Sequence, residues 1–227
     1  EGDAVRVRAR KRAHGNTEPD ELELRARLDG RTLDLATREP PVVGFGGGSV
    51  DLEVSLPPTV AVDRVVTDDG SVTLRGTSGD ATVETGDGDV VATGLAGDLD
   101  ASTDDGDVTV EGVGGVVTAR TRDGSLVVRA PGAVGDLRTG DGDVTATVPA
   151  VDESATVRSA DGDVTVALGD GLDAAVDATT GDGDVTGGGF DVVEIDTESH
   201  VAGTVGDGTG TLRIHTDDGD VTLTRPS

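Results

Sequence analysis

Cysteine, methionine, tryptophan and tyrosine are all missing from the 227 residues, and phenylalanine occurs only twice. Without cysteine there is no disulfide framework, no thiolate nucleophile and no cysteine-ligated zinc or iron–sulfur centre. Lysine is almost as scarce, with Lys11 alone beside 17 arginines. Acids outnumber bases 45 to 18, giving a formal charge of −27, and 34 of the acids are aspartate. So acidic a chain repels nucleic acid and anionic lipid. No apolar run approaches the roughly 18–20 residues that a membrane-spanning helix needs. Few aromatics and much charge are the marks of disorder, unless a repeat buries the regularly spaced valines, alanines and leucines. Compact carboxylates with almost no lysine suit concentrated salt, where a screening length of roughly 3 Å at 1 M makes self-repulsion tolerable. The composition is the one expected of a halophile's protein.

What the chain does contain is a repeat. Asp-Gly pairs place glycines at Gly70, Gly88, Gly106, Gly124, Gly142, Gly162, Gly183 and Gly219, with spacings of 18, 18, 18, 18, 20, 21 and 36. The last spacing is twice 18, so one degenerate repeat is expected near Ser199-His200, with His200 in place of a turn glycine. Within a repeat, apolar residues alternate on both sides of the turn, as Val90 and Ala92 do, then Leu99 and Ala101. Period-two spacing means two short strands per repeat, and no window carries the 3.6-residue period of a helix. Eighteen residues that return to their start stack as parallel coils about 4.8 Å apart. Several coils together enclose a narrow core that none could bury alone. The sequence therefore predicts an all-β fold: a parallel β-solenoid (β-helix) of about nine coils over residues 59–227. The glycines supply the positive φ of each turn, and the aspartates can cap nearby backbone N–H groups. Two flat faces or three are both compatible with the spacing.

Residues 1–58 read as a separate strand-rich cap. Val5, Val7 and Ala9 alternate with Arg6, Arg8 and Arg10, and Asp29-Gly30 joins two alternating runs into a hairpin. A loop at Gly44-Phe45-Gly46-Gly47-Gly48 precedes a further strand through Val50, Leu52 and Val54. Residues 1–40 hold 9 basic and 9 acidic residues, so the remaining 187 carry the whole −27.

The unit T-x-D-G-D-V, seen at Thr85–Val90, Thr139–Val144 and Thr216–Val221, resembles a family of adhesin-like, glycine- and aspartate-rich β-helical surface domains abundant in haloarchaea and bacteria. A weaker likeness is to bactofilins, whose solenoids polymerise end to end. The first resemblance implies an extracellular location at the cell surface and no catalytic residues to carry over.

The chemistry open to such a chain is limited. Stacked coils align Asp87, Asp105, Asp123, Asp141, Asp161 and Asp182 in one column and Asp89, Asp107, Asp143, Asp163 and Asp184 in a second. These are the candidate ligands for calcium or another cation, an oxygen-seeking partner that relieves carboxylate repulsion. The calcium β-roll nonapeptide G-G-x-G-x-D-x-U-x does not fit the frame, so turn formation with diffuse counterions is the preferred reading and no resident cofactor is expected. An enzyme is not expected either: His14, His200 and His215 are scattered, without an H-E-x-x-H or Ser-His-Asp pattern, and only Phe45 and Phe190 could grip a sugar. The expected partner is a second copy of the chain. Arg6, Arg8 and Arg10 of the cap would dock head-to-tail on an open last coil exposing Val221 and Leu223, and a contact that does not close builds a filament. A monomeric scaffold binding cations or surface glycan is the alternative. Because the sequence begins at Glu1, it is expected to be a processed or truncated product whose signal peptide or lipid anchor lies outside it.

Overall fold

The computed structural model describes residues 4–38, 46–188 and 190–225. The chain divides into two compact units, Glu1–Thr59 and Val60–Ser227. In the first, β1 (Arg6–Gly15) pairs antiparallel with β4 (Gly46–Ser55), and β2 (Glu23–Asp29) pairs antiparallel with β3 (Thr32–Arg38) across the Gly30-Arg31 turn. The glycines read as a loop lie partly within β4, where Gly47 faces His14 and Gly48 faces Ala13. A β-carbon on Gly48 would stand 2.7 Å from a methyl of Leu22. Glycine is thus what lets the wholly buried Leu22 seat against this strand. Gly44 and Phe45 lie outside the described residues.

The second unit is the solenoid. Each coil gives one strand to each of two sheets, which settles the number of faces at two. The first three coils are β5 (Arg64–Asp69) with β6 (Val72–Arg75), β7 (Ala81–Asp87) with β8 (Val90–Thr93), and β9 (Leu99–Asp105) with β10 (Val108–Glu111). The next three are β11 (Val116–Arg120) with β12 (Leu126–Arg129), β13 (Ala133–Arg138) with β14 (Val144–Val148), and β15 (Ser154–Asp161) with β16 (Val164–Leu168). Consecutive coils pair in parallel and in register, Val90 with Val108, Val108 with Leu126 and Leu126 with Val144. Inward residues are Val, Ala and Leu, nearly all fully buried, and they form one continuous core. Between the sheets, Leu95 and Val113 enter that core from the connecting segments.

Beyond Leu168 the coil order departs from the sequence order. β17 (Ala174–Asp182) and β18 (Val185–Gly187) form a coil, followed by β19 (Val192–Asp196) and β20 (His200–Val205), and then a last coil, β21 (Gly210–Asp218) with β22 (Val221–Thr224). That last coil lies between its predecessors: β21 pairs in parallel with both β15 and β17, and β22 with both β16 and β18. The expected degenerate repeat is no coil at all. β20 runs antiparallel on β17 and β19 antiparallel on β20. His200 belongs to β20, and the stack has eight coils among the described residues, not nine. The antiparallel pair covers the edge of β17, which would otherwise present unpaired backbone groups.

Candidate functional site

Every expected turn glycine has positive φ, from 118° at Gly70 to 152° at Gly162. The tolerance matters because the turns touch. A β-carbon on Gly142 would stand 2.2 Å from the carbonyl oxygen of Gly124, and one on Gly219 2.5 Å from that of Gly162. The same carbonyls accept a second, buried contact. Thr139 Oγ1 donates to Gly124 O at 2.7 Å, Thr216 Oγ1 to Gly162 O at 2.8 Å and Thr180 Oγ1 to Gly219 O at 2.7 Å. The threonine of T-x-D-G-D is therefore a structural donor to the neighbouring coil.

The two aspartates of the motif behave differently. The second one accepts a backbone N–H from the adjacent coil: Asp107 N–H reaches Asp89 Oδ1 at 3.0 Å, Asp163 N–H reaches Asp143 at 2.9 Å, and Asp184 N–H reaches Asp220 at 2.9 Å. Asp163 in turn caps Asp220 at 2.9 Å. Among the described residues the first aspartate takes no such backbone N–H; the Asp161 carboxyl instead meets those of Asp218 and Asp141. In spatial order Asp69, Asp87, Asp105, Asp123, Asp141, Asp161, Asp218 and Asp182 form an exposed, in-register ladder of eight carboxylates. No member takes part in an ion pair among the described residues. Partial desolvation raises the pKa of Asp161 above its ordinary value, helped by Asp218 and Asp141 on either side. Among the described residues no three acidic or histidine side chains converge on a point where a metal ion could sit. One hollow of about 290 Å³ is lined by Asp63, Asp80, Asp98, Asp100 and Asp152. There too carboxylates serve the stack, Asp80 taking the N–H of Asp98 at 2.9 Å and Asp98 that of Val116 at 2.8 Å.

The outer face of the ten-stranded sheet carries something the composition hides. Arg120, Arg138 and Arg158 occupy successive strands in register, and the row continues through His215, Thr179 and His200. Arg122 and Arg213 stand beside it. Five of the nine arginines of residues 60–227 thus lie on or beside four adjacent strands, with Asp136 and Asp217 among them and the aspartate ladder at the strand ends. Arg138 pairs with Asp136 at 2.8 Å, Arg158 with Asp217 at 2.7 Å and Arg122 with Asp104 at 3.0 Å. Arg120 has no ion pair among the described residues. Sequence reasoning missed this row, although its signal was present: each arginine stands three residues before the Asp of an Asp-Gly pair.

Beside the row, Thr179 Oγ1 lies 2.9 Å from Nδ1 of His215, whose Nε2 lies 2.9 Å from Asp217 Oδ1. Hydroxyl, imidazole and carboxylate stand in the order that nucleophilic enzymes use, a grouping the sequence did not reveal. The setting is an open sheet face with His215 about one third exposed. His215 first and Arg158 second hold the Asp217 carboxyl below its ordinary pKa, so the carboxylate is bound from two sides. His200 is held by Asp177 at 3.1 Å.

The expected self-assembly residues lie as follows. Arg6, Arg8 and Arg10 are exposed on β1 opposite Ser55, Glu53 and Asp51 of β4. Arg8 pairs weakly with Glu53 at 3.5 Å. Val221 and Leu223 are not at an open end: they are 0% and 2% exposed, in the coil enclosed between two others. The expectation of a head-to-tail contact through them is therefore corrected. The chain's terminal coil was taken for the terminal coil of the stack, and β20 with β19 stands there instead. Phe190 is half-buried against the core.

The model of the Toastrack DUF4097 family matches residues 5–224. No curated protein and no solved structure matches the chain.

Proposed function

Since the chain belongs to the Toastrack DUF4097 family, we propose that it works as a non-enzymatic structural scaffold of the extracellular surface, adhesin-like and halophilic, that associates with copies of itself. The observation that carries this reading is the fate of the repeated polar groups. Threonine hydroxyls and second-column carboxylates bind the backbone of neighbouring coils, so the repeated polar groups hold the stack together and the outer sheet faces are left to meet a partner. Binding through a flat face is the task of an assembly or attachment module. The acid-rich, lysine-poor composition supports an environment of high salt. No helix among the described residues is long and apolar enough to cross a membrane.

Sedimentation velocity and negative-stain imaging at molar salt, over a hundredfold range of concentration, test the proposal. Species larger than the monomer are expected to form as concentration rises; monomers throughout would overturn the proposal. The unneutralised carboxylate ladder favours one second reading, a scaffold that gathers cations. Calorimetric titration with Ca²⁺ at fixed ionic strength decides that reading: saturable stoichiometric heat supports it, and its absence removes it.

A further inference from the structure

Two charge ladders of opposite sign run along this solenoid with the same spacing. Arg120, Arg138 and Arg158 are in register on three successive strands. Asp123, Asp141 and Asp161 follow them three residues later in the same coils, also in register. Both rows therefore repeat at the strand separation, about 4.8 Å, and their backbones follow one another along each coil at roughly 10 Å, the arginines on the outer sheet face and the aspartates at its corner. Stacking like charges at that distance is unfavourable even in water. Asp136 and Asp217 relieve part of it at Arg138 and Arg158, and a partner presenting the opposite charge at the same repeat would relieve the rest.

A second copy of this chain presents that partner. We propose that two solenoids associate side by side, the arginine row of each lying along the aspartate ladder of the other. This deepens, and rests on, the self-association reading above. A two-fold axis between the copies satisfies both contacts at once, so the unit closes as a dimer rather than growing end to end. The guanidinium groups of Arg138 and Arg158 each have five N–H donors, more than their single carboxylate partners accept. Among the described residues Arg120 and the aspartate ladder bring no ion pair of their own that must first be broken.

Net charge gives the contact a distinctive salt response. At low ionic strength two bodies of −27 repel over a long range. Near 0.15 M the screening length is about 8 Å, so remote repulsion fades while pairs in contact persist. Dimerisation is expected to strengthen as salt rises from about 10 mM to about 150 mM. An arginine row holding a separate polyanion would weaken over the same interval.

The test uses the whole chain and two charge-reversed variants at exposed positions, Arg120→Glu with Arg138→Glu, and Asp123→Arg with Asp141→Arg. Circular dichroism and thermal melting check that both keep the fold. In sedimentation velocity each variant alone is expected to lose association at least about tenfold, and an equimolar mixture of the two is expected to restore it. Variants that associate as the unmodified chain does would overturn the side-by-side contact and leave self-association standing. An unmodified chain monomeric at every salt concentration would overturn both. A monomer that binds polygalacturonate and loses it on arginine reversal would overturn the proposal in favour of an anionic glycan site.

Discussion

Glycine at the turns of a coil does two jobs that can be separated by comparing Gly94, just after β8, with Gly142 of an Asp-Gly pair. Gly94 has φ +66° with nothing within 4 Å of an added β-carbon, whereas Gly142 has φ +142° and would drive that carbon to 2.2 Å from Gly124 O. Gly94→Ala is expected to cost about 1–2 kcal/mol, the price of left-handed backbone alone. Gly142→Ala adds displacement of the neighbouring coil and is expected to cost at least about 3 kcal/mol in urea unfolding. Aspartate at the same turn gives a prediction with a sign. The folded-state pKa of Asp161 is raised, chiefly by desolvation and then by Asp218 and Asp141. Its ionisation thus opposes folding. The favourable contribution is complete below the unfolded value, about 3.9, and is lost as pH rises through the folded value. Asp161→Asn should therefore melt higher than the unmodified chain at pH 7, with the difference closing as pH falls towards about 3.9. Asp217 behaves oppositely. Its depressed pKa, due first to His215 and then to Arg158, gives stability above about pH 3.9 that is lost as pH falls through the folded value.

A single rung is held to the next by strand pairing, the core and the threonine hydroxyl. Thr139→Val keeps the shape and removes the 2.7 Å bond to Gly124 O. A cost of about 1–2 kcal/mol is expected by chemical denaturation, with Thr139→Ser recovering most of it. Elements were legible in the sequence wherever this rung was repeated faithfully. Val90, Val108 and Leu126 occupy matching places and pair as the 18-residue spacing requires. Residues 190–208 depart from the expected rung because Thr197–His200 has the length and polarity of a rung's turn. Only strand direction distinguishes it, and direction is not written in a period-two pattern. The arginine row was overlooked for a similar reason: an outward position in a strand carries no constraint that marks it as more than solvated surface. Its meaning lies in three neighbours agreeing, and neighbours are known only once register is known.

At the scale of the molecule, coil order was the least legible feature. All rungs offer nearly the same face, so β15 can accept β21 as readily as β17, and the turn ladder continues through Asp161, Asp218 and Asp182 without a break. Truncation after Gly208 removes β21 and β22 and leaves β17 and β18 without their parallel partners. Hydrogen exchange is expected to show protection retained over β7–β14 and lost over residues 174–187. Equal protection in both regions would mean that the upper coil had slid down onto β15 and β16.

That arrangement bears on how the protein comes into being. A growing polypeptide can lay down its storeys in turn as far as Leu168, but must then leave one floor vacant for residues not yet translated. A chain interrupted before Gly210 lacks the strands that stand between β15 and β17. Order of synthesis and order of stacking thus part company at this end of the molecule.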